Sequence, residues 1–140
     1  MGVNLKGPFQ LCRAAYPFLK ARGGGSIINV SSVEAIRPDP NLGLYSVSKA
    51  ALITLTQAMA KEWGADGIRV NVLCPGLVKT KFSEALWTNE HIMQHVTQQL
   101  PAGRMADPPE MAGLALFLAS DAASYCTGSV YVADGGYLLA

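Results

Sequence analysis

Charge is scarce in this sequence. Of its 140 residues, 11 are Lys or Arg and 10 are Asp or Glu, 15% in all, for a formal net charge of +1. With neither a polybasic arm nor an acidic tail, nucleic-acid binding is excluded as the main business of the chain. Cysteine is scarce too. Cys12, Cys74 and Cys126 are odd in number, lie 62 and 52 residues apart and form no Cys-x-x-Cys pair. That excludes a disulfide framework and a structural zinc site, and fits a reducing, cytoplasmic setting. Long apolar runs are missing: the strongest, Ala112 to Ala119, is far too short to span a bilayer. The first 20 residues are interrupted by Lys6, Arg13 and Lys20, so no signal peptide is expected. There is no Gly-x-Ser-x-Gly and no histidine near Ser32, which argues against a serine hydrolase. His91 and His95 sit i, i+4 but lack a glutamate base and a third ligand; no metal site is expected, and the pair reads as a solvated helix face or a substrate-lid contact.

What is present is apolar and patterned. Half of the residues are hydrophobic, and 140 residues suit one compact domain. Leu5, Phe9, Cys12, Tyr16 and Leu19 recur at helical spacing, predicting an amphipathic helix over 2–21 that Gly23-Gly24-Gly25 stops. Residues 26–30, 69–73 and 129–133 read as short buried strands. A helix over 44–63 carries apolar residues on more than one face (Val47, Ala51, Leu55, Ala58, Met59), so it is expected to be covered on two sides. Residues 82–99 form a looser helical stretch. Pro108-Pro109-Glu110 open a last helix, with Asp107 placed to cap it. Helices alternating with strands predict an α/β fold with three parallel strands and helices on both faces. Three strands are few for such a sheet, which hints that part of a larger domain lies elsewhere.

One constellation carries chemistry. Tyr45 and Lys49 stand i, i+4 on one face of a helix. An isolated phenol titrates near about 10, and a neighbouring ammonium favours its ionised form, so Tyr-x-x-x-Lys is a sensible general acid/base. Ser32 follows the first strand, 13 residues before Tyr45. Ligands of open α/β sheets bind beyond the carboxyl ends of strands. Pro75-Gly76 stands at the matching end of the next strand, where glycine lets backbone approach a flat ligand. Pro8 has no N–H for the carbonyl of Asn4, four residues earlier. Either that carbonyl is free to hold a water in a proton relay, or the helix starts late, at Gly7. Lys79, Thr80 and Lys81 form either a phosphate contact or a solvated loop.

These stretches together resemble short-chain dehydrogenases/reductases. The matching segments are Val3-Asn4-Leu5-Lys6-Gly7, Gly25 to Ser32, Tyr45-Ser46-Val47-Ser48-Lys49-Ala50, Arg69 to Gly76, Asp107-Pro108-Pro109-Glu110 and Gly128 to Gly136, in the family's order. The resemblance implies an oxidoreductase moving a hydride between NAD or NADP and a small-molecule carbonyl or secondary alcohol. It implies Tyr45 as acid/base, Lys49 as its electrostatic activator and ribose ligand, Ser32 as the substrate-orienting hydroxyl and Asn4 as holder of the relay water. Ser32 is preferred to Ser31 because the 13-residue step to Tyr45 is the family's usual one. Tyr45, Lys49, Pro75, Gly76, Val78 and Thr80 would line the nicotinamide side. Residues 82–104 would cover substrate, and helices 2–21 and 44–63 would pair in a homodimer or homotetramer.

The family's glycine-rich turn between a first strand and helix does not occur in these residues; Gly23-Gly24-Gly25 precede a strand rather than follow one. Residues 1–140 therefore read as the C-terminal catalytic part of a single Rossmann-like domain, whether as a fragment, a truncated gene product or a misplaced start. The competing reading is a non-catalytic paralogue or association module. No nucleic-acid or membrane partner is expected.

Overall fold

Three short stretches rich in β-branched residues build the sheet. In the computed structural model, which describes residues 1–139, β1 spans Gly25–Val30, β2 Ile68–Pro75 and β3 Val130–Ala133. They pair in parallel in the order β1-β2-β3, with Ile27 opposite Val70 and Leu73 opposite Tyr131. Parallel neighbours need crossover connections. The first is α2 (Gly43–Trp63); the second contains α3 (Glu84–Trp87), α4 (Glu90–Gln98) and α5 (Pro109–Ala119). A further helix, α1 (Gly7–Ala21), precedes the sheet. This is the expected Rossmann-like α/β arrangement of three parallel strands with helices around them. Among the described residues, no helix is long and apolar enough to cross a membrane.

Strand alternation sorts the two faces of the sheet. Ile27, Ile68 and Val70 point to one side, where they join Cys12, Met59, Ala60 and Trp63 in a buried cluster with Tyr16, Leu19 and Leu55 packed against it. On the other side the Ser26 hydroxyl donates to the carbonyl of Leu118 in α5 (2.8 Å), and Asn71 donates to the carbonyl of Cys126 (2.7 Å). So α1 and α2 share one face and α5 covers the other. The α2 face also buries polar groups. The Asn29 amide donates to the Thr56 hydroxyl (2.9 Å), which itself donates to the Leu52 carbonyl (2.8 Å).

The helix ends differ from expectation in three places. Residues 2–6 are helical but wound as a π turn, with the N–H of Lys6 and Gly7 reaching back to Met1 and Gly2. Pro8, in the first turn of α1, has no N–H to close a normal turn on Asn4, so the chain widens before the α-helix begins. Of the two readings of Pro8, the start of the α-helix at Gly7 is the one observed. Second, the 82–99 stretch is two helices; the Asn89 side chain accepts from the N–H of His91 and Ile92 (3.1 and 3.2 Å) and starts α4 afresh. Third, Asp107 does not cap α5 with its side chain. The two prolines that follow remove the nearest donors, and the bond runs the other way: the Asp107 N–H donates to Glu110 Oε2 (2.8 Å), half of a capping box. Arg104 grips the same carboxylate at 2.6 and 2.8 Å, and the two together lower the Glu110 pKa to about 2.

The end of α1 follows the sequence signal closely. Gly24 N–H returns to the Leu19 carbonyl and Gly23 N–H to that of Lys20, a Schellman closure. Gly24 then passes so close to Gly67 that a side chain on it would meet the Gly67 carbonyl oxygen at 2.5 Å. Here α1 and the start of β2 are pinched together.

Thr56→Val tests the buried polar seam. Valine keeps the shape and strands the Asn29 amide, so the variant should lose about 1–3 kcal/mol. Urea unfolding should show a lower midpoint at unchanged slope; an unchanged midpoint would mean that the seam adds nothing to stability.

Candidate active site

The catalytic candidates gather at the carboxyl ends of β1 and β2, and their backbones place them there. Val30 ends β1, and Ser32 lies one residue beyond Ser31. Tyr45 and Lys49 occupy the first two turns of α2. The Lys49 ammonium donates to the Val30 carbonyl (2.9 Å) and stands 5.7 Å from the centre of the Tyr45 ring. The Ser31 hydroxyl donates to the Lys49 carbonyl (2.8 Å), pinning the helix to the strand end. Burial lowers the Lys49 pKa from its ordinary value, and nearby Cys74 opposes that shift. Only one of the three ammonium protons is needed for Val30, which leaves the others to meet hydroxyl groups of a ligand.

The two serines divide the work. Ser31 is buried and committed to the backbone of α2. Ser32 is half-buried, and its oxygen accepts from the Glu34 N–H (3.2 Å). Among the described residues nothing takes its proton, so it can donate to an incoming oxygen.

Asn4 reaches the site through a residue the sequence reading passed over. Its amide donates to the Ser48 hydroxyl (3.1 Å), which donates to the carbonyl of Tyr45 (2.7 Å). Ser48 is 1% exposed. A serine three residues after the tyrosine, on the inner face of α2, was the available signal.

The β2 side is tightly held. Pro75 is the last residue of the strand, and the Gly76 N–H donates to the Ala133 carbonyl (2.9 Å). A side chain at Gly76 would meet the Asp134 Cα at 2.6 Å. Close packing against the end of β3 therefore already demands glycine here, before any ligand does. Val78 forms a parallel bridge with Ala106. Thr80 turns toward Ser83: its N–H donates to the Ser83 oxygen (3.0 Å), and the two hydroxyls lie 3.2 Å apart. Lys79 pairs with Asp107 at 3.8 Å. Trp87 donates its indole N–H to the Thr80 carbonyl (3.0 Å), fixing the loop. That loop carries Phe82, whose ring stacks on Tyr45 with centroids 6.0 Å apart although it is 85% exposed. A large apolar residue between Lys81 and Ser83 is the sequence signal for it. His95 meets Gln99 at 3.3 Å, and among the described residues no cluster of three or more His, Cys, Asp and Glu side chains forms a metal site.

The family profile described as enoyl-(acyl carrier protein) reductase matches residues 1–138. The chain belongs to the short-chain dehydrogenase/reductase family. It is 45% identical over 134 residues to dehydrogenase/reductase SDR family member 4 of Sus scrofa, covering 96% of this chain and 48% of that protein. It is 40% identical over 141 residues to 2-keto-3-deoxy-L-fuconate dehydrogenase of Xanthomonas campestris, covering 96% of this chain and 47% of that one. Among solved structures it superposes on a gluconate 5-dehydrogenase from Burkholderia cenocepacia, in complex with NADP and tartrate, with a TM-score of 0.95 and 36% identity, over 99% of this chain and 54% of that one. The chain thus spans about half the length of the short-chain dehydrogenases/reductases it matches.

A double-mutant cycle tests the Asn4–Ser48 link. Asn4→Ala and Ser48→Ala should each destabilise the chain, and together they should cost less than their sum, by at least about 0.5 kcal/mol. Urea unfolding of the four proteins reads the coupling; strict additivity would remove the link from the site.

Proposed function

We propose that this chain is the C-terminal catalytic half of a single short-chain dehydrogenase/reductase domain, working in an NAD(P)-dependent oxidoreductase that interconverts a small carbonyl and a secondary alcohol. The observation that carries the reading is the half-buried Lys49 ammonium, held by the Val30 carbonyl at 2.9 Å and facing the Tyr45 ring from 5.7 Å at the end of β1. Burying a lysine is costly unless its partners repay the lost hydration. One carbonyl and one aromatic ring are a thin set of partners for a structural role, and fit a cation kept for a ligand and a neighbouring phenol.

The nicotinamide, when bound, supplies or accepts the hydride. The residues of this chain do the rest. In the reducing direction Tyr45 gives its hydroxyl proton to the carbonyl oxygen, and in the oxidising direction it takes one back. Ser32 donates to the same oxygen and orients it. Lys49 holds ribose hydroxyls with its spare protons and stabilises negative charge on the phenol oxygen. Asn4, tied to the helix through Ser48, holds the water that returns the proton from solvent. Pro75, Gly76, Val78 and Thr80 line the nicotinamide side, and residues 82–104 cover substrate. The adenosine and pyrophosphate ends of NAD or NADP are held by residues outside this chain. A cytoplasmic location fits three thiols without a disulfide among the described residues.

The same helices carry the proposed subunit contact. On α1 Leu11 and Phe18 are 73% and 76% exposed, and on α2 Leu44 and Val47 are 85% and 53% exposed, so both retain apolar surface after packing on the sheet. We assign it to a homodimer or homotetramer. A non-catalytic association module is the second reading, favoured by the β1 edge, which pairs only with β2 among the described residues.

In the polypeptide that joins this chain to its cofactor-binding half, Tyr45→Phe should cut hydride transfer by at least about 10²-fold with the fold intact, and Lys49→Ala should cost similarly. Turnover by the phenylalanine variant within about tenfold of the parent would overturn the assignment. Light scattering of the same protein should give a dimer or tetramer; a monomer at about 10 μM, well above the Kd of a stable interface, would remove the helix-paired assembly.

A further inference from the structure

The loop between Ser32 and Tyr45 holds a buried acid for which the reaction has no use. Glu34 is 7% exposed, although it lies in a connection rich in proline and polar residues. A carboxylate is retained in such a place only where hydrogen bonds replace its lost hydration. Its bonds are specific. The Glu34 N–H donates to the Ser32 hydroxyl (3.2 Å). Its Oε2 accepts from the Ser46 hydroxyl (3.0 Å) and from the Asp39 N–H (3.0 Å). One residue therefore touches the substrate-orienting serine with its backbone and the neighbour of the catalytic tyrosine with its side chain. Ser46 is itself buried in the first turn of α2, where its N–H donates to the Leu42 carbonyl (2.8 Å) and its one hydroxyl proton is shared between that carbonyl and Glu34 Oε2, both at 3.0 Å.

The outer end of the loop is clasped as well. The Asp39 carboxylate accepts from the Tyr137 hydroxyl, and the Arg37 guanidinium lies 4.5 Å from the centre of the Tyr137 ring. Tyr137 packs with Val33 and Leu100, and with Leu77 beside the Pro75-Gly76 corner. A continuous string of contacts thus runs from the C-terminal segment through Asp39 and Glu34 to the helix that carries Tyr45.

The geometry points to Glu34 as a positioning residue for the Ser32–Tyr45 pair. It sets the spacing between the two hydroxyls that meet the same substrate oxygen. Ser32 lies two residues beyond β1 and Tyr45 on a helix, and 12 residues separate them. A chain that long defines no distance by covalent geometry alone. Displacements of about 1 Å in such pairs cost up to about 10²-fold in rate. This inference rests on the proposed function, because it needs Ser32 and Tyr45 to act on one oxygen.

The test uses the holoenzyme, this chain together with its cofactor-binding half, with kcat expressed per folded molecule. Glu34→Ala should lower kcat by about ten- to a hundredfold, while the KM for NAD(P)H stays within about twofold, since Lys49 and the β2 side are untouched. Glu34→Gln keeps one oxygen able to accept both bonds and should stay within about threefold of the parent. Ser46→Ala removes a single hydroxyl, and should lower kcat by about three- to tenfold with the same unchanged cofactor KM; it decides the matter if Glu34→Ala does not fold. Three results would overturn the inference: kcat unchanged in Ser46→Ala, a cofactor KM that rises in step with the loss of kcat, or glutamine behaving as alanine does. A parent holoenzyme inactive toward every carbonyl and alcohol tried would bring down the proposed function, and this inference with it. An active parent with indifferent Glu34 and Ser46 variants brings down this inference alone.

Discussion

Everything at the site depends on how α2 is fixed along β1. Helices slide easily on a sheet when apolar contacts alone hold them, because hydrophobic burial has little directional preference. Here a row of polar bonds sets the register: Asn29 to Thr56, Ser31 to the Lys49 carbonyl, and the Lys49 ammonium to the Val30 carbonyl. They tie Asn29, Val30 and Ser31, at and just past the end of β1, to Lys49 and Thr56, two turns apart on α2. Together they place Tyr45 beyond the strand end and turn its ring toward Lys49.

That arrangement commits polar groups to a buried layer, and the structure satisfies them throughout. Among the described residues no buried side-chain nitrogen or oxygen lacks a hydrogen-bond partner. Asn4 and Ser48 continue the row past the tyrosine, and Glu34 closes the loop on its other side. Lys49 is the cation of this layer, and burial lowers its pKa from the ordinary value. A half-buried lysine with few partners is a perturbed group of the kind that gathers at functional sites. Cys74, fully buried nearby, has its thiol pushed up by burial. The surroundings of the ammonium are thus poor in competing negative charge.

Opposite edges of the sheet are treated differently. The C-terminal segment after β3 is anchored: Asp134 accepts from the N–H of Gly136 and Leu138, and Gly76 packs against Asp134 itself. The β1 edge has no strand beside it among the described residues, and Val30 is 52% exposed. Unpaired N–H and C=O groups along a parallel strand call for a neighbour. The chain spans about half the length of its relatives, and 99% of it superposes on one of them with a TM-score of 0.95.

The sequence by itself determined the elements and their order. Periodicity located α2 and all three strands to within two residues, and α1 apart from the π turn at its start, since burial of one helix stripe or one strand face leaves a direct imprint on residue type. Tyr45, Lys49, Ser32 and Asn4 were legible as candidates, because their spacing and their places at element ends are local properties. Tertiary structure alone decided the rest. Asp107 looked like a cap, yet Glu110 and Arg104 took over that helix start, because two prolines had removed the donors a cap needs. Glycine at 76 suggested room for a ligand, and the approach of Asp134 showed a packing reason. Glu34, Ser48 and Tyr137 passed unnoticed because their meaning lies in partners 12, 44 and 98 residues away along the chain. No window of sequence records such pairs; they exist only once the sheet has brought the loops to one edge.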